Sequence, residues 1–207
     1  MDPTYRTKAI ILNRQILQEV DSRVVAYSYD RGKLELVARG TAKISSKLAG
    51  HLEPFNLVDL MVITGRGTNY AGAADNLSVA VDIKSDWDKL SAGTYVLKLY
   101  ERLIKPGVSD KKAFLLLAEF IYWLNVIEAS PLYYQLIARL AVWRFLNILG
   151  IASMEVVNGD CPVMAKDKLK QFSDGDLVES LKNLRLKISE ARALLKYLDD
   201  LTQRLID

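Results

Sequence analysis

Between Lys33 and Arg39 the chain alternates. Leu34, Leu36 and Ala38 fall on one side of an extended backbone, and Lys33, Glu35, Val37 and Arg39 on the other. This pattern predicts a half-buried strand with one apolar face and one face carrying cations. Similar runs rich in Val, Ile, Leu and Tyr predict strands at Lys8–Leu12, Arg23–Tyr29, Leu57–Thr64 and Tyr70–Ile83. Turn chemistry separates them at Asp30-Arg31-Gly32, around Gly40, and at Gly65-Arg66-Gly67. Five strands with short turns in about eighty residues match the strand count of an OB-type barrel. Residues Ser45 to His51 are expected to make a short helical turn between the third and fourth strands. Pro54 cannot donate to a ladder, so the fourth strand should begin after it.

From Ser85 the period lengthens. Ser85 with Asp88 predicts a capped helix that runs to Ile104, before Pro106-Gly107. Ser109-Asp110 opens a second helix, to about Glu128, and Ser130-Pro131 a third, which stops at Gly150. The third is apolar nearly all round, which predicts the buried centre of a bundle. Residues 151–165 read as an irregular link. Helix then runs from Lys166 to the C-terminus, with breaks expected near Ser173–Asp176 and near Ser189. The fold class is therefore α+β, with a five-stranded OB-type barrel at residues 1–83 and an α-helical domain at residues 84–207.

Composition narrows the picture little, but charge distribution narrows it more. The net charge of +3 is mild, yet residues 6–47 hold nine Lys/Arg against four Asp/Glu. Residues 84–207 hold 18 basic and 16 acidic residues, close to balance. A polyanion should therefore meet the first half. One cysteine, Cys161, excludes an intrachain disulfide. No apolar leader opens the chain, and ions interrupt its most hydrophobic spans: Glu119 with polar Asn125 in one, Arg139 and Arg144 in the next. The expected compartment is the cytoplasm, near the nucleoid, with no membrane partner.

The candidate chemistry is nucleic-acid binding, from cations interleaved with aromatics. The cations are Arg6, Lys8, Arg14, Arg23, Arg31, Lys33, Arg39, Lys43, Lys47 and Arg66, and the aromatics Tyr5, Tyr27, Tyr29, Phe55 and Tyr70. Cations track phosphates while aromatic faces stack unpaired bases. Such contacts confer no sequence preference. Two plainer readings stand beside this one. Exposed strands carry Lys and Arg to block edge pairing, and Phe55 and about half of the tyrosines suit a core.

Three blocks within this region resemble one known family: YRTKAIILNR (5–14), DRGKLELVARG (30–40) and SKLAGHLEPFNLVDL (46–60). They look like the N-terminal half of RecO, the bacterial recombination-mediator and DNA-repair family, over residues 5–67. Beyond residue 84 the similarity is looser. The resemblance implies an OB-fold followed by a helical domain, binding of single- and double-stranded DNA, and annealing of complementary strands. It also implies RecR as a partner, RecA loading as the indirect outcome, and a contact with the acidic, hydrophobic C-terminal tail of single-strand-binding protein.

Other chemistry finds little support. Many RecO sequences carry a cysteine zinc motif, but the corresponding VNGDCPVMAKDK (157–168) holds only Cys161. A structural zinc site wants four Cys/His ligands, and this chain has one Cys and one His, so neither metal nor cofactor is expected. His51 has Glu53 two residues away but no nucleophile to serve, so an enzyme is not expected. Gly65 and Gly67 lack a following Gly-Lys-Ser/Thr and read as a hairpin turn. Arg139 and Arg144 lie five residues apart on an apolar helix, about 140° around it, and need different surroundings. Each is read as a snorkelling or ion-paired side chain, or as a partner-binding cation beside a groove for an acidic tail. The barrel is read first as a DNA-binding module, and alternatively as a protein-interaction module for an acidic partner.

Overall fold

The computed structural model describes residues 4–18, 20–41, 43, 46–152, 166, 169–170 and 186–206. Its contacts divide the chain into two compact units, Met1–Val81 with Leu97–Phe114, and Asp82–Val96 with Leu115–Asp207.

The first unit is built on five strands, β1 Thr4–Gln18, β2 Asp21–Ser28, β3 Gly32–Ala38, β4 Leu57–Ile63 and β5 Asn69–Ser78. They close into a barrel in the order β1-β2-β3-β5-β4. The closing pair is parallel, Leu36 opposite Asn69 and Val37 opposite Tyr70, and every other pair is antiparallel. β1 is longer than its apolar run predicted, because it pairs with β4 through Ile10 and with β2 from Ala9 onward. Its polar residues Asn13, Arg14 and Gln15 hid that extension from pattern reading. β5 is shorter than predicted. Ser78 pairs with Leu57, the first residue of β4, so nothing remains to continue the ladder, and helix α1 (Val81–Ser85) follows.

The alternating apolar positions fill the barrel. Ala9, Ile11, Val24, Ala26, Leu34, Leu36, Ala38, Leu52, Val58, Leu60 and Val62 form one buried cluster. Each large aliphatic side chain buried there contributes about 1.5–3 kcal/mol. The segment expected as a short helix at 45–51 is a run of turns over residues 47–52, with one helical bond from Leu52 N–H to Leu48 O at 3.3 Å. At the Glu53-Pro54-Phe55 corner, Phe55 takes a left-handed φ of 72°. Its burial (3% exposed) and its N–H bond to Ile11 O hold that conformation.

One wall of this unit is covered by residues 97–114. Gly32, at φ +71°, sits against the backbone of Val108, and a Cβ there would lie 2.3 Å from the Val108 carbonyl oxygen. Buried Tyr27 donates its hydroxyl proton to Asp110 O at 2.8 Å and packs on Tyr100 and Phe114. Burial pushes the Tyr27 phenol up to about 12.

Further helices are α2 (Trp87–Leu103), α3 (Lys111–Val126), α4 (Pro131–Ile148) and α5 (Ile188–Ile206). α2 is capped by Asp86 rather than Ser85. The Asp86 carboxylate accepts from the N–H groups of Asp88 and Lys89 at 2.8 and 3.0 Å, whereas the Ser85 hydroxyl bonds back to Asp82 O. Asp110 caps α3 in the same way, through Lys112 and Ala113. Pro131 opens α4 after an extended Ser130, and α4 buries ten side chains, from Tyr134 to Leu146. α5 packs on α4 through Ala191, Leu194, Leu198 and Leu201, one helical stripe. α5 begins at Ile188, close to the break expected near Ser189, while the break expected at 173–176 lies outside the described residues. In the second unit Lys89 is 2% exposed, with its ammonium bonded to Asn125 O and Glu128. Among the described residues no helix is long and apolar enough to cross a membrane.

Candidate nucleic-acid interface

The geometry separates the ten barrel cations into groups. Three of them are held in ion pairs by carboxylates. Arg6, on β1, donates to Asp59 on β4 at 3.0 Å and to Asp75 on β5 at 2.6 Å. The Asp75 hydrogen bond raises its already high pKa; burial opposes this, and the Asp59 hydrogen bond adds to the rise. Arg23 donates to Glu35 on the neighbouring strand at 2.6 Å. Arg14 is the most enclosed of these, with a side chain 14% exposed. Its guanidinium donates to Glu53 at 2.5 Å, Ala49 O at 2.9 Å and Thr41 O at 3.3 Å, which ties down the β3–β4 connection. Lys33 donates its ammonium protons to Glu101 O at 2.9 Å, a carbonyl in the last turn of α2.

Arg31, beside the β2–β3 turn, lies over the Tyr5 ring at 4.7 Å. Burial raises the Tyr5 phenol, with Arg31 pulling the other way. The neighbouring Asp30 carboxyl is pushed up by burial, but hydrogen bonds from Thr7 and Ser28 outweigh this and hold it below its ordinary value. Lys8 is exposed on β1, in register with Asp59.

Arg39, Lys43, Lys47 and Arg66 belong to a different environment. All four are exposed and none forms an ion pair among the described residues. Arg39 follows the end of β3, where the parallel pair brings in the start of β5, and its guanidinium lies 4.6 Å over the Tyr70 ring. Lys43 folds back beside Gly40, and its N–H donates to Gly40 O. Arg66 stands in the β4–β5 loop between two glycines, and Lys47 adjoins Leu48.

Two shallow grooves flank this end. One, of about 440 Å³, runs along Leu17, Arg23, Val37, Gly65, Gly67 and Asn69. The other, of about 360 Å³, is lined by Arg39, Leu48, Ile63, Tyr70, Ala71 and Gly72. One rung joins them, since Arg23 is opposite Val37 and Val37 opposite Tyr70. The strand 2–3 face and the β4–β5 loop are where OB barrels take ligands. Sequence reading missed Leu17, Leu48, Ile63 and Asn69, because the β3–β5 pairing that gathers them leaves no local pattern.

Of the aromatic candidates, Phe55 and Tyr27 are buried and do not reach the surface, while Tyr5, Tyr29 and Tyr70 are half-buried. Tyr29 packs edge-on against Phe114, with Lys111 over its ring. His51 Nδ1 is buried with no hydrogen-bond partner among the described residues, and Glu53 is held by Arg14.

In the helical unit Arg139 is fully engaged. It donates to Asp199 on α5 at 2.8 Å and to Gln135, and stacks over Tyr95 at 4.0 Å. One terminal nitrogen of Arg144 is buried without a hydrogen-bond partner among the described residues. The 157–168 segment lies outside the described residues except Lys166, and no cluster of metal ligands occurs among those described.

A closed five-stranded barrel with a cationic end and grooves, followed by helices, defines an OB-type barrel protein with a helical region. The chain matches the family model for the recombination protein O N terminal over residues 1–74 and that for its C terminal over residues 84–155. The chain belongs to the RecO family of DNA-repair and recombination proteins. It is 34% identical over 172 residues to the DNA repair protein RecO of Roseiflexus sp., covering 83% of this chain and 59% of that protein. It is 30% identical over 122 residues to that of Desulforamulus reducens, covering 59% of this chain and 48% of that protein. A third relative, from Geobacter sulfurreducens, is 29% identical over 70% of this chain and 58% of its own length. The chain thus spans about half the length of the curated relatives it matches.

Proposed function

We propose that this chain is a non-enzymatic DNA-binding mediator, and that the end of the barrel around Arg39, Lys43, Lys47 and Arg66 holds the phosphate backbone. The observation that carries the reading is the difference in partners. These four cations are exposed and form no ion pair among the described residues, at the end flanked by two grooves; Lys8 and Arg31 share that exposure but line neither groove, whereas Arg6, Arg14 and Arg23 are neutralised by carboxylates. A phosphate that replaces the counterions of a free cation gains affinity, while one that must displace a carboxylate gains less. Binding of two complementary strands on such a surface lowers their mutual repulsion and lets them pair, which is annealing. The family relation supports RecR as the partner through which RecA loading follows, and the tail of single-strand-binding protein as a further ligand. For that tail Arg144 is the better candidate of the two helical arginines, since Arg139 is already satisfied.

Counterion release supplies the test. Four phosphate contacts predict that log affinity for single strands falls with log salt at a slope of about −3. Anisotropy of a labelled oligonucleotide at several salt concentrations measures it, and a flat response removes the reading. A second reading has its own observation. Ile16 is 69% exposed, Leu17 50% and Val20 39%, an apolar tip on the β1–β2 hairpin that suits a protein partner, and the exposed barrel cations suit an acidic one. Capture of a partner that survives nuclease treatment, with no oligonucleotide binding, favours this alternative.

A further inference from the structure

We infer that the groove between Arg39, Leu48, Ile63 and Tyr70 is a pocket for one unpaired nucleobase, which makes this end of the barrel selective for single strands. The inference rests on the DNA-binding reading above and assigns a base-reading role within that surface. Its starting point is the stacked pair. A planar guanidinium lies 4.6 Å over the Tyr70 ring, so two flat groups already form a platform at the rim of a cavity of about 360 Å³. A third flat, polarisable ring adds to such a stack. The remaining lining is aliphatic: Leu48, Ile63 at 37% exposed, and Ala71. Gly72 completes it. A Cβ at that position would fall 2.7 Å from Met61 Cε and 2.8 Å from Ile63 Cδ1, so the absent side chain lets Ile63 lean across and form part of the wall.

The chemistry of the rim selects the occupant. An aliphatic side chain from a protein would be satisfied by the wall alone and would gain nothing from cations. Here Arg39 borders the pocket, Lys43 lies beside Gly40 and Lys47 adjoins Leu48. A ring that must be stacked and carries a phosphate uses both features at once. In a duplex the bases are paired and stacked on each other, so none can enter. Only an unpaired nucleotide presents ring and phosphate together.

The test compares labelled dT oligonucleotides, blunt duplex and an oligomer of abasic sites on the full chain. Tyr70→Ala is expected to weaken dT binding about 5- to 100-fold, to leave duplex affinity unchanged and to leave the salt slope unchanged. The abasic oligomer should bind wild type as weakly as dT binds Tyr70→Ala. Arg39→Lys, a surface change that keeps the charge and removes the planar group, should weaken dT severalfold and weaken duplex less. Unaltered dT binding by both variants, or equal losses on dT and duplex, would overturn the pocket while leaving phosphate binding intact. The pocket would then be left to a protein side chain. Absence of wild-type binding to any of the three DNAs would overturn the DNA-binding reading, and the pocket with it.

Discussion

Arg14 and Arg39 carry the same guanidinium on the same barrel and are used in opposite ways. Arg14 is enclosed by the β3–β4 connection, with a carboxylate and two carbonyls taking its protons. Arg39 lies in the open on a tyrosine ring, with no carboxylate partner among the described residues. The placement of acids accounts for much of the difference, since the β3–β4 connection itself supplies Glu53 to Arg14. Arg6 and Arg23 also meet acids delivered by neighbouring strands, whereas β3 and β5 converge on Arg39 without one. The lesson is that cation content marks a candidate surface, and the distribution of carboxylates decides which cations are free to act.

The largest effect that could break this comparison falls on the open group. Lys43→Glu combined with Arg66→Glu should weaken single-strand binding about a hundredfold at about 50 mM salt and flatten the salt slope. The thermal midpoint should stay near wild type, because neither side chain has a structural partner among the described residues. Equal DNA affinity in this variant would place the polyanion elsewhere. The enclosed group predicts the converse. Arg14→Ala leaves Ala49 O and Thr41 O without donors, and should destabilise the first unit by about 2 kcal/mol in urea unfolding. Its folded fraction should bind DNA as wild type does.

A sharper version converts one group into the other. Arg23 borders the 440 Å³ groove but is paired with Glu35. Glu35→Gln removes the carboxylate and should release the cation. Single-strand affinity is then expected to rise about threefold, with the slope steeper by about 0.7. Because the pair is exposed, stability should change by less than about 1 kcal/mol.

Much of the fold was legible, for identifiable reasons. The alternation at Lys33–Arg39 gave β3 its face, since Leu34, Leu36 and Ala38 do line the core. Asp110 and Pro131 marked helix starts, because caps are local chemistry. Less of the candidate site could be read. The face at positions 33, 35, 37 and 39 looked uniformly outward, yet Lys33 is bonded to Glu101 O, a residue remote in sequence. Likewise the ten cations read as one set, although Asp59, Asp75, Glu35 and Glu53 divide them through pairings that no local pattern records. Tyr70 was among the aromatic candidates, but its stacking on Arg39 depends on the parallel closure of the barrel.

The smallest predicted effect concerns the wall that residues 97–114 cover. Burial raises the Tyr27 phenol to about 12, against an ordinary value of 10.0. A raised phenol means the folded chain holds its proton where the unfolded chain has lost it. Stability from this group is therefore complete below about pH 10, and declines as pH rises toward 12. Tyr27→Phe should unfold more readily than wild type at neutral pH, because the hydroxyl bonds to Asp110 are lost. Its midpoint should fall less steeply than that of wild type between pH 10 and 12. Denaturant midpoints across that window measure the difference. Parallel curves for the two proteins would mean that this phenol ionises without opening the wall, and that the covered side of the barrel is less closed than the open end is open.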